Sequence, residues 1–97
     1  MTRDEAITRL RSLEPELRRQ GMLSLFLFGS TARNEAASDS DIDLFCDLDP
    51  ATQLGFAFFD IADRISAAIG RRVDLTTRNG LHPLIRNDVA SQAVRVF

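Results

Sequence analysis

Apolar and polar positions along this 97-residue chain switch between a helical and a two-residue period, and the switches mark out its elements. Near the start, Ala6, Ile7, Leu10 and Leu13 recur at helical spacing behind Thr2-Arg3-Asp4-Glu5, a capping-box sequence that opens a helix. Pro15 begins a second short helical turn and Gly21 ends it. Leu23 to Phe28 is a nearly continuous apolar run, which predicts a strand buried on both faces and stopping at Gly29. A short helix is expected from Ser30 to Asn34 and a polar loop from Glu35 to Ser40. From Ile42 to Leu48 the pattern alternates, with Ile42, Leu44 and Cys46 on one side and Asp41, Asp43 and Phe45 at other offsets; Pro50 closes that strand.

The clearest helix follows. Leu54, Ala57, Phe58, Ile61, Ala62, Ile65, Ala68 and Ile69 define one buried face, and Gly70 supplies its end. Phe56 and Phe59 lie toward the opposite side, where two outward aromatics mark either an interface or a contact with the N-terminal helix. Arg72 to Thr76 reads as a third strand carrying Asp74. Pro83 opens a last helix in which Leu84, Ile85, Val89, Ala93 and Val94 are expected to face inward. This alternation of helices and strands predicts a small sheet with helices packed against it, in one domain spanning residues 1–97.

Composition narrows the classes. With 44% apolar residues the chain is an ordinary globular one, and no apolar run approaches the roughly 20 residues of a membrane span. The N-terminus lacks a signal-peptide core, so a cytoplasmic location is expected. The single Cys46 excludes an internal disulfide framework and a cysteine-based zinc cluster. A net charge of −2 gives no expectation of direct nucleic-acid binding. All 12 basic residues are Arg, which excludes a Walker-type P-loop, whose lysine reaches the phosphates.

Four groups of residues carry candidate chemistry. Gly29-Ser30 ends an apolar strand, so backbone there approaches a ligand without an intervening Cβ, and a helix starting at Ser30 would present free N–H groups to an anion. The alternative is an ordinary strand-to-helix turn with Ser30 as N-cap. Asp41 and Asp43, about 6–7 Å apart along one face of a strand, repel each other unless a cation lies between them. That favours a hard metal such as Mg²⁺, which keeps several waters and borrows phosphate oxygens as ligands; the alternative is a solvated turn with Ser38 and Ser40 as turn formers. Asp74 sits within Val73-Asp74-Leu75, where a dry, unpaired carboxylate costs several kcal/mol. It is therefore either paired with Arg71, Arg72 or Arg78, or a general base that also helps to hold a metal. Arg33, one helical turn after Ser30, reaches back to the same anion, pairs with a site carboxylate, or forms a surface ion pair. Cys46 and His82 read as a core residue and a helix-start residue.

Together, Leu25-Phe26-Leu27-Phe28-Gly29-Ser30-Thr31-Ala32-Arg33 and Ser38-Asp39-Ser40-Asp41-Ile42-Asp43-Leu44 resemble the signature of the minimal nucleotidyltransferases, the smallest members of the DNA polymerase beta-like superfamily. The resemblance spans nearly the whole chain. It implies an α+β fold, with a small mixed sheet and flanking helices. It also implies ATP and Mg²⁺ over Gly29-Ser30, with Asp41 and Asp43 as metal ligands and Asp74 as the third acidic residue. Family members commonly have Gly after the motif Arg, where this chain has Asn34, a departure in a turn residue.

Stand-alone members of that family resemble the antitoxins of modules whose toxin is a HEPN-domain ribonuclease. The resemblance thus implies an enzyme that transfers AMP to a hydroxyl of such a toxin, commonly a tyrosine, and forms a hetero-oligomer with it. Two other readings stay open: a binding-only antitoxin without turnover, and a nucleotidyltransferase acting on a small molecule or nucleic acid with a partner subunit.

Overall fold

The computed structural model describes residues 1–37, 40–52 and 57–97. Helices α1 (Arg3–Arg11) and α2 (Glu14–Arg19) come first. Thr2 caps α1 as its sequence predicts: its hydroxyl oxygen accepts from the Glu5 N–H at 3.2 Å and its O–H donates to the Glu5 carboxylate at 3.1 Å. In this variant of the capping box the carboxylate takes the hydroxyl proton in place of a backbone N–H. Pro15 lies in the first turn of α2, where its missing N–H leaves no helical bond unmade.

Strands β1 (Met22–Phe28) and β2 (Ile42–Leu48) pair antiparallel, placing Leu27 opposite Leu44 and Phe28 opposite Asp43. Strand β3 (Val73–Thr77) runs parallel to β2, with Asp74 beside Asp43. A two-residue β4 (Val94–Arg95) pairs antiparallel with β1, giving a mixed sheet of order β3-β2-β1-β4. Sequence pattern had assigned Val94 to the last helix, because a two-residue strand is too short to show a period. The chain continues past β4 along β1, where the Leu25 N–H donates to the Phe97 carbonyl at 2.9 Å and the Val96 N–H donates to that of Leu25 at 2.8 Å.

Alternation sorts the sheet into two unlike faces. Leu25 and Leu27 of β1 and Ile42, Leu44 and Cys46 of β2 are all buried against the helices. They meet Ala6 and Leu10 of α1, Leu17 of α2, and Ile61, Ile65 and Ile69 of α4 (Ala57–Ile69). Each such aliphatic side chain contributes about 1.5–3 kcal/mol on burial. The α4 seam is narrower than its pattern predicts, since Ala57 and Ala68 are exposed. The expected positions Leu54 and Phe56 lie outside the described residues, while Phe59 is 66% exposed, as its offset predicts. Arg9 closes the far end of α4 by donating to the Ile69 carbonyl at 3.0 Å, a cation on a helix C-terminus.

Two expectations fail here. β1 is not buried throughout on both faces: Leu23 is exposed, and on the second face Ser24 is buried while Phe26 and Phe28 stand only half-buried. Helix α5 (Pro83–Gln92) buries no residue at all, with Leu84 85% and Ile85 49% exposed. It packs mainly on the 3₁₀ turn Arg78–Gly80 and on β1, so its apolar positions find no core to enter.

Candidate active site

The second face of the sheet holds the chemistry. Two backbone ties hold the approach to β2 in place: the Arg71 guanidinium donates to the Ser40 carbonyl at 2.6 Å, and the Ile42 N–H donates to the Arg72 carbonyl at 2.9 Å. Asp43 then falls between Phe28 on one neighbouring strand and Asp74 on the other. Neighbouring strands are about 4.8 Å apart, so the Asp43 and Asp74 carboxylates share one small area. Immediately beside them the chain leaves β1 through Gly29, whose φ is +75°. A Cβ at Gly29 would collide with the Asp43 carboxylate. Glycine is thus required there for two reasons, a left-handed backbone and the close approach of a carboxylate.

Electrostatics mark Asp43 as the centre. Its pKa is raised above the ordinary carboxylate value, chiefly by burial, then by the charges of Asp74 and Asp41, against a smaller opposing pull from Arg33. An anion held against two others attracts a cation. Among the described residues no group of three or more acidic, His or Cys side chains forms a ready-made metal cage. The donor set nonetheless suits Mg²⁺, a hard ion that is bound by one or two carboxylates and completes its shell with water and substrate phosphate.

Asp74 corrects an expectation. It is exposed at the edge strand and solvated, so it needs no arginine, and no ion pair among the described residues includes it. The three arginines near it in sequence point elsewhere: Arg71 to the Ser40 carbonyl, Arg72 to Asp41 at 3.8 Å, and Arg78 to Asp47.

The helix expected from Ser30 is a single turn, α3 (Gly29–Ala32), which Gly29 opens beside Asp43 with Phe28, not Ser30, as N-cap. Arg33 follows it; its Nε pairs with the Glu35 carboxylate at 3.1 Å on the surface, which is one of the alternatives its position allowed. Asn34 adopts a φ of +59°, a conformation Asn tolerates better than other non-glycine residues, and its Oδ1 accepts from the Arg3 N–H at 3.2 Å. The turn that family members commonly make with Gly is therefore made here by Asn. Ser38 and Asp39, which belong to the motif, lie outside the described residues.

Sequence reading overlooked the other half of this face. Asp47, four residues after Asp43 on the same side of β2, accepts from Arg78 Nε and Nη2, both at 2.9 Å, and from the Ser24 hydroxyl at 2.7 Å. The Arg78 guanidinium also lies over the rings of Phe26 and Phe45, which stack with centroids 4.8 Å apart. The two-residue period through Asp41, Asp43, Phe45 and Asp47 was the available signal. Cys46 and His82 behave as expected: burial pushes the Cys46 thiol up to about 12, and His82 Nδ1 caps α5 by accepting from the Leu84 N–H.

Comparison with known proteins bears on the family and the fold. Residues 5–96 match the family model described as nucleotidyltransferase domain. The protein adenylyltransferase MntA of Thermococcus cleftensis is 33% identical over 97 residues, covering 99% of this chain and 97% of the relative. A solved structure described as a minimal nucleotidyltransferase superposes with a TM-score of 0.81 at 29% identity, covering 97% of this chain and 95% of the other. The same fold occurs, at 19% identity and a TM-score of 0.69, in a complex of a tri-AMPylated Shewanella oneidensis HEPN toxin with its MNT antitoxin; it covers 95% of this chain and 71% of that one. No helix among the described residues is long and apolar enough to cross a membrane.

Proposed function

The chain belongs to the nucleotidyltransferase domain family, as a minimal nucleotidyltransferase, and we propose that it transfers AMP from ATP to a hydroxyl of a partner HEPN-domain toxin and thereby silences it. The acceptor we favour is a tyrosine, the setting is the cytoplasm, and residues 1–97 act as one domain. The observation that carries this reading is the half-buried Asp43, held against Asp41 and Asp74 beside a glycine that lets its carboxylate approach the backbone closely.

The roles follow from placement. Gly29 and Ser30 border the carboxylates and would hold the triphosphate through backbone N–H groups and the Ser30 hydroxyl. Arg33, at the exposed end of that turn, adds positive charge on the same side. Asp41 and Asp43 would hold Mg²⁺, with Asp74 as third ligand. When bound, the metal would neutralise phosphate charge and lower the pKa of the acceptor hydroxyl. Asp74, exposed at the sheet edge where a protein acceptor can reach it, takes the hydroxyl proton. The acceptor oxygen forms a bond to the α-phosphorus, the bond from that phosphorus to the bridging oxygen breaks, and pyrophosphate leaves with the electron pair. Rate comes from positioning and charge compensation.

The test is intact-mass spectrometry of the HEPN partner after incubation with this protein, ATP and Mg²⁺. One or more added AMP units, absent with Asp41→Asn/Asp43→Asn, is the expected result. An unmodified partner that still co-purifies would replace this reading with a binding-only antitoxin. An unmodified partner that does not associate would point to a small-molecule or nucleic-acid acceptor.

A further inference from the structure

The carboxylate face carries a fourth charged position, Arg72, to which the reading above gives no role. Arg72 immediately precedes β3, and the Ile42 N–H bond to its carbonyl carries the pairing with β2 one residue back. Arg72 therefore lies beside Asp41 as Asp74 lies beside Asp43, with its Nε 3.8 Å from the Asp41 carboxylate. Among the described residues it is the one cation paired with any of the three carboxylates. That separation is too long for a hydrogen bond, and with the Arg72 side chain 83% exposed the pair adds little stability. Its neighbour Arg71, by contrast, is committed to the Ser40 carbonyl. Both arginines line an open, polar cavity of about 470 Å³ with Gly70 and Asp41. Arg72 thus brings to that cavity a fork of donors suited to a phosphate held by two parallel bonds.

Given the nucleotidyltransferase reading above, on which this rests, we propose that Arg72 and its cavity form an acceptor-side phosphate site. It takes the phosphodiester of an AMP already attached to the partner, so that a further AMP is added to that nucleotide. Position chooses the occupant. Asp74, the base of the reading above, marks where an acceptor hydroxyl arrives, and Arg72 stands two residues away on the same side, about 6–7 Å along the strand. A ribose hydroxyl and the 5′-phosphate of the same nucleotide span a separation of that order, so one meets Arg72 when the other meets Asp74. The donor triphosphate has its own place at Gly29-Ser30, which follows β1 on the opposite side of β2 from β3, so the two phosphate groups do not compete. A tyrosine acceptor brings no such anion. Arg72 therefore serves the transfers after the first. In those, the ribose hydroxyl oxygen forms a bond to the incoming α-phosphorus and its proton passes to Asp74. The bond from that phosphorus to the bridging oxygen breaks, and pyrophosphate leaves with the electron pair.

The test follows the HEPN partner by intact mass over time, with ATP and Mg²⁺, for the wild type, Arg72→Ala and Arg72→Lys. The wild type should accumulate species carrying two or more AMP units. In Arg72→Ala the ratio of the second transfer rate to the first should fall at least tenfold. Arg72→Lys, which keeps the charge and loses the fork, should fall between the two, and it supplies the answer should the Ala variant unfold in a thermal melt. Removing Arg72 also unpairs Asp41, but that acts on every transfer alike and leaves the ratio unmoved. Offered partner purified with a single AMP, Arg72→Ala should show a KM raised at least tenfold and a kcat changed far less. A wild type that stops at one AMP overturns the proposal, as does an unchanged ratio in folded Arg72→Ala. An equal loss of first and later transfers also overturns it, and assigns Arg72 to the donor or to the leaving pyrophosphate. The nucleotidyltransferase reading survives each of these results as long as the wild type adds the first AMP. A wild type that adds none ends both.

Discussion

Asp43 and Asp47 lie four residues apart on the same side of the same strand, and they have opposite fates. Asp43 faces two further carboxylates, and its pKa is raised by burial and by their charge. Asp47 accepts two hydrogen bonds from Arg78 and one from Ser24, and its pKa is lowered, above all by the Arg78 bonds. The guanidinium over Asp47 also covers two aromatic rings, so that end of the face is closed by the protein itself. The Asp43 end is left electrostatically incomplete. The contrast shows how one β-strand supplies both a finished structural contact and a cluster of like charges, the one proposed above to hold a cation.

The sharpest way to break the contrast is Asp43→Asn. Transfer of AMP should fall by at least about 10²–10³-fold, the scale of losing one group that stabilises transition-state charge. The metal-free variant should nevertheless melt higher than wild type, because a repelled charge has been removed. For a domain of this size about 1 kcal/mol moves Tm by roughly 4–8 °C, so modest relief is measurable by calorimetry. A lower melting temperature would mean that Asp43 is stabilising and that the site has been misread.

Gly29→Ala tests the same end through the backbone. The left-handed conformation costs a non-glycine residue about 1–2 kcal/mol, and the new Cβ would displace the Asp43 carboxylate. Stability should drop by at least that amount in urea titration, with loss of transfer in the fraction that remains folded. Arg78→Ala attacks the other end. Both partners are about one-third exposed, so the charge-assisted bonds are discounted for solvent, to about 1–2 kcal/mol in all. Activity per folded molecule should be close to wild type, which separates the structural carboxylate Asp47 from Asp43, the proposed metal ligand.

The smallest expected effect is a difference in pH profile. Because the folded pKa of Asp43 is raised, its favourable contribution is present at low pH and is lost as pH rises through that value. Because that of Asp47 is lowered, its contribution is present at neutral pH and is lost as pH falls below the ordinary carboxylate range. Asp43→Asn should therefore flatten the upper side of the stability profile of the metal-free protein and Asp47→Asn the acid side, as followed by thermal melts from pH 3 to 8. Mg²⁺ should restore stability at neutral pH to the wild type and not to Asp41→Asn/Asp43→Asn.

Much of the site could be read from local pattern. Asp41 and Asp43 were identifiable because a two-residue period keeps them together while Ile42 and Leu44 enter the core. Gly29 was identifiable because an apolar strand ends on it, although the close approach of Asp43 shows only in the fold. Asp74 was found for a reason that needed correction. The flanking Val73 and Leu75 suggested a dry carboxylate in want of an arginine, whereas an edge position leaves it in water.

By itself, then, the sequence determined what periodicity determines: the capped first helix, the three longer strands, the aliphatic seam of α4, and which side of β2 carries acid. These are local properties, set by side-chain direction along a helix or strand. The tertiary structure alone decided which distant groups meet. Parallel pairing of β2 with β3 brings Asp74 to Asp43. The turn after β3 gives Arg78 to Asp47 and withholds it from Asp74. The short β4 zips the chain end onto β1 and leaves the apolar face of α5 looking onto a cleft. Strand neighbours, long reaching arginines and helix docking depend on contacts far apart in the chain, and no local period encodes them.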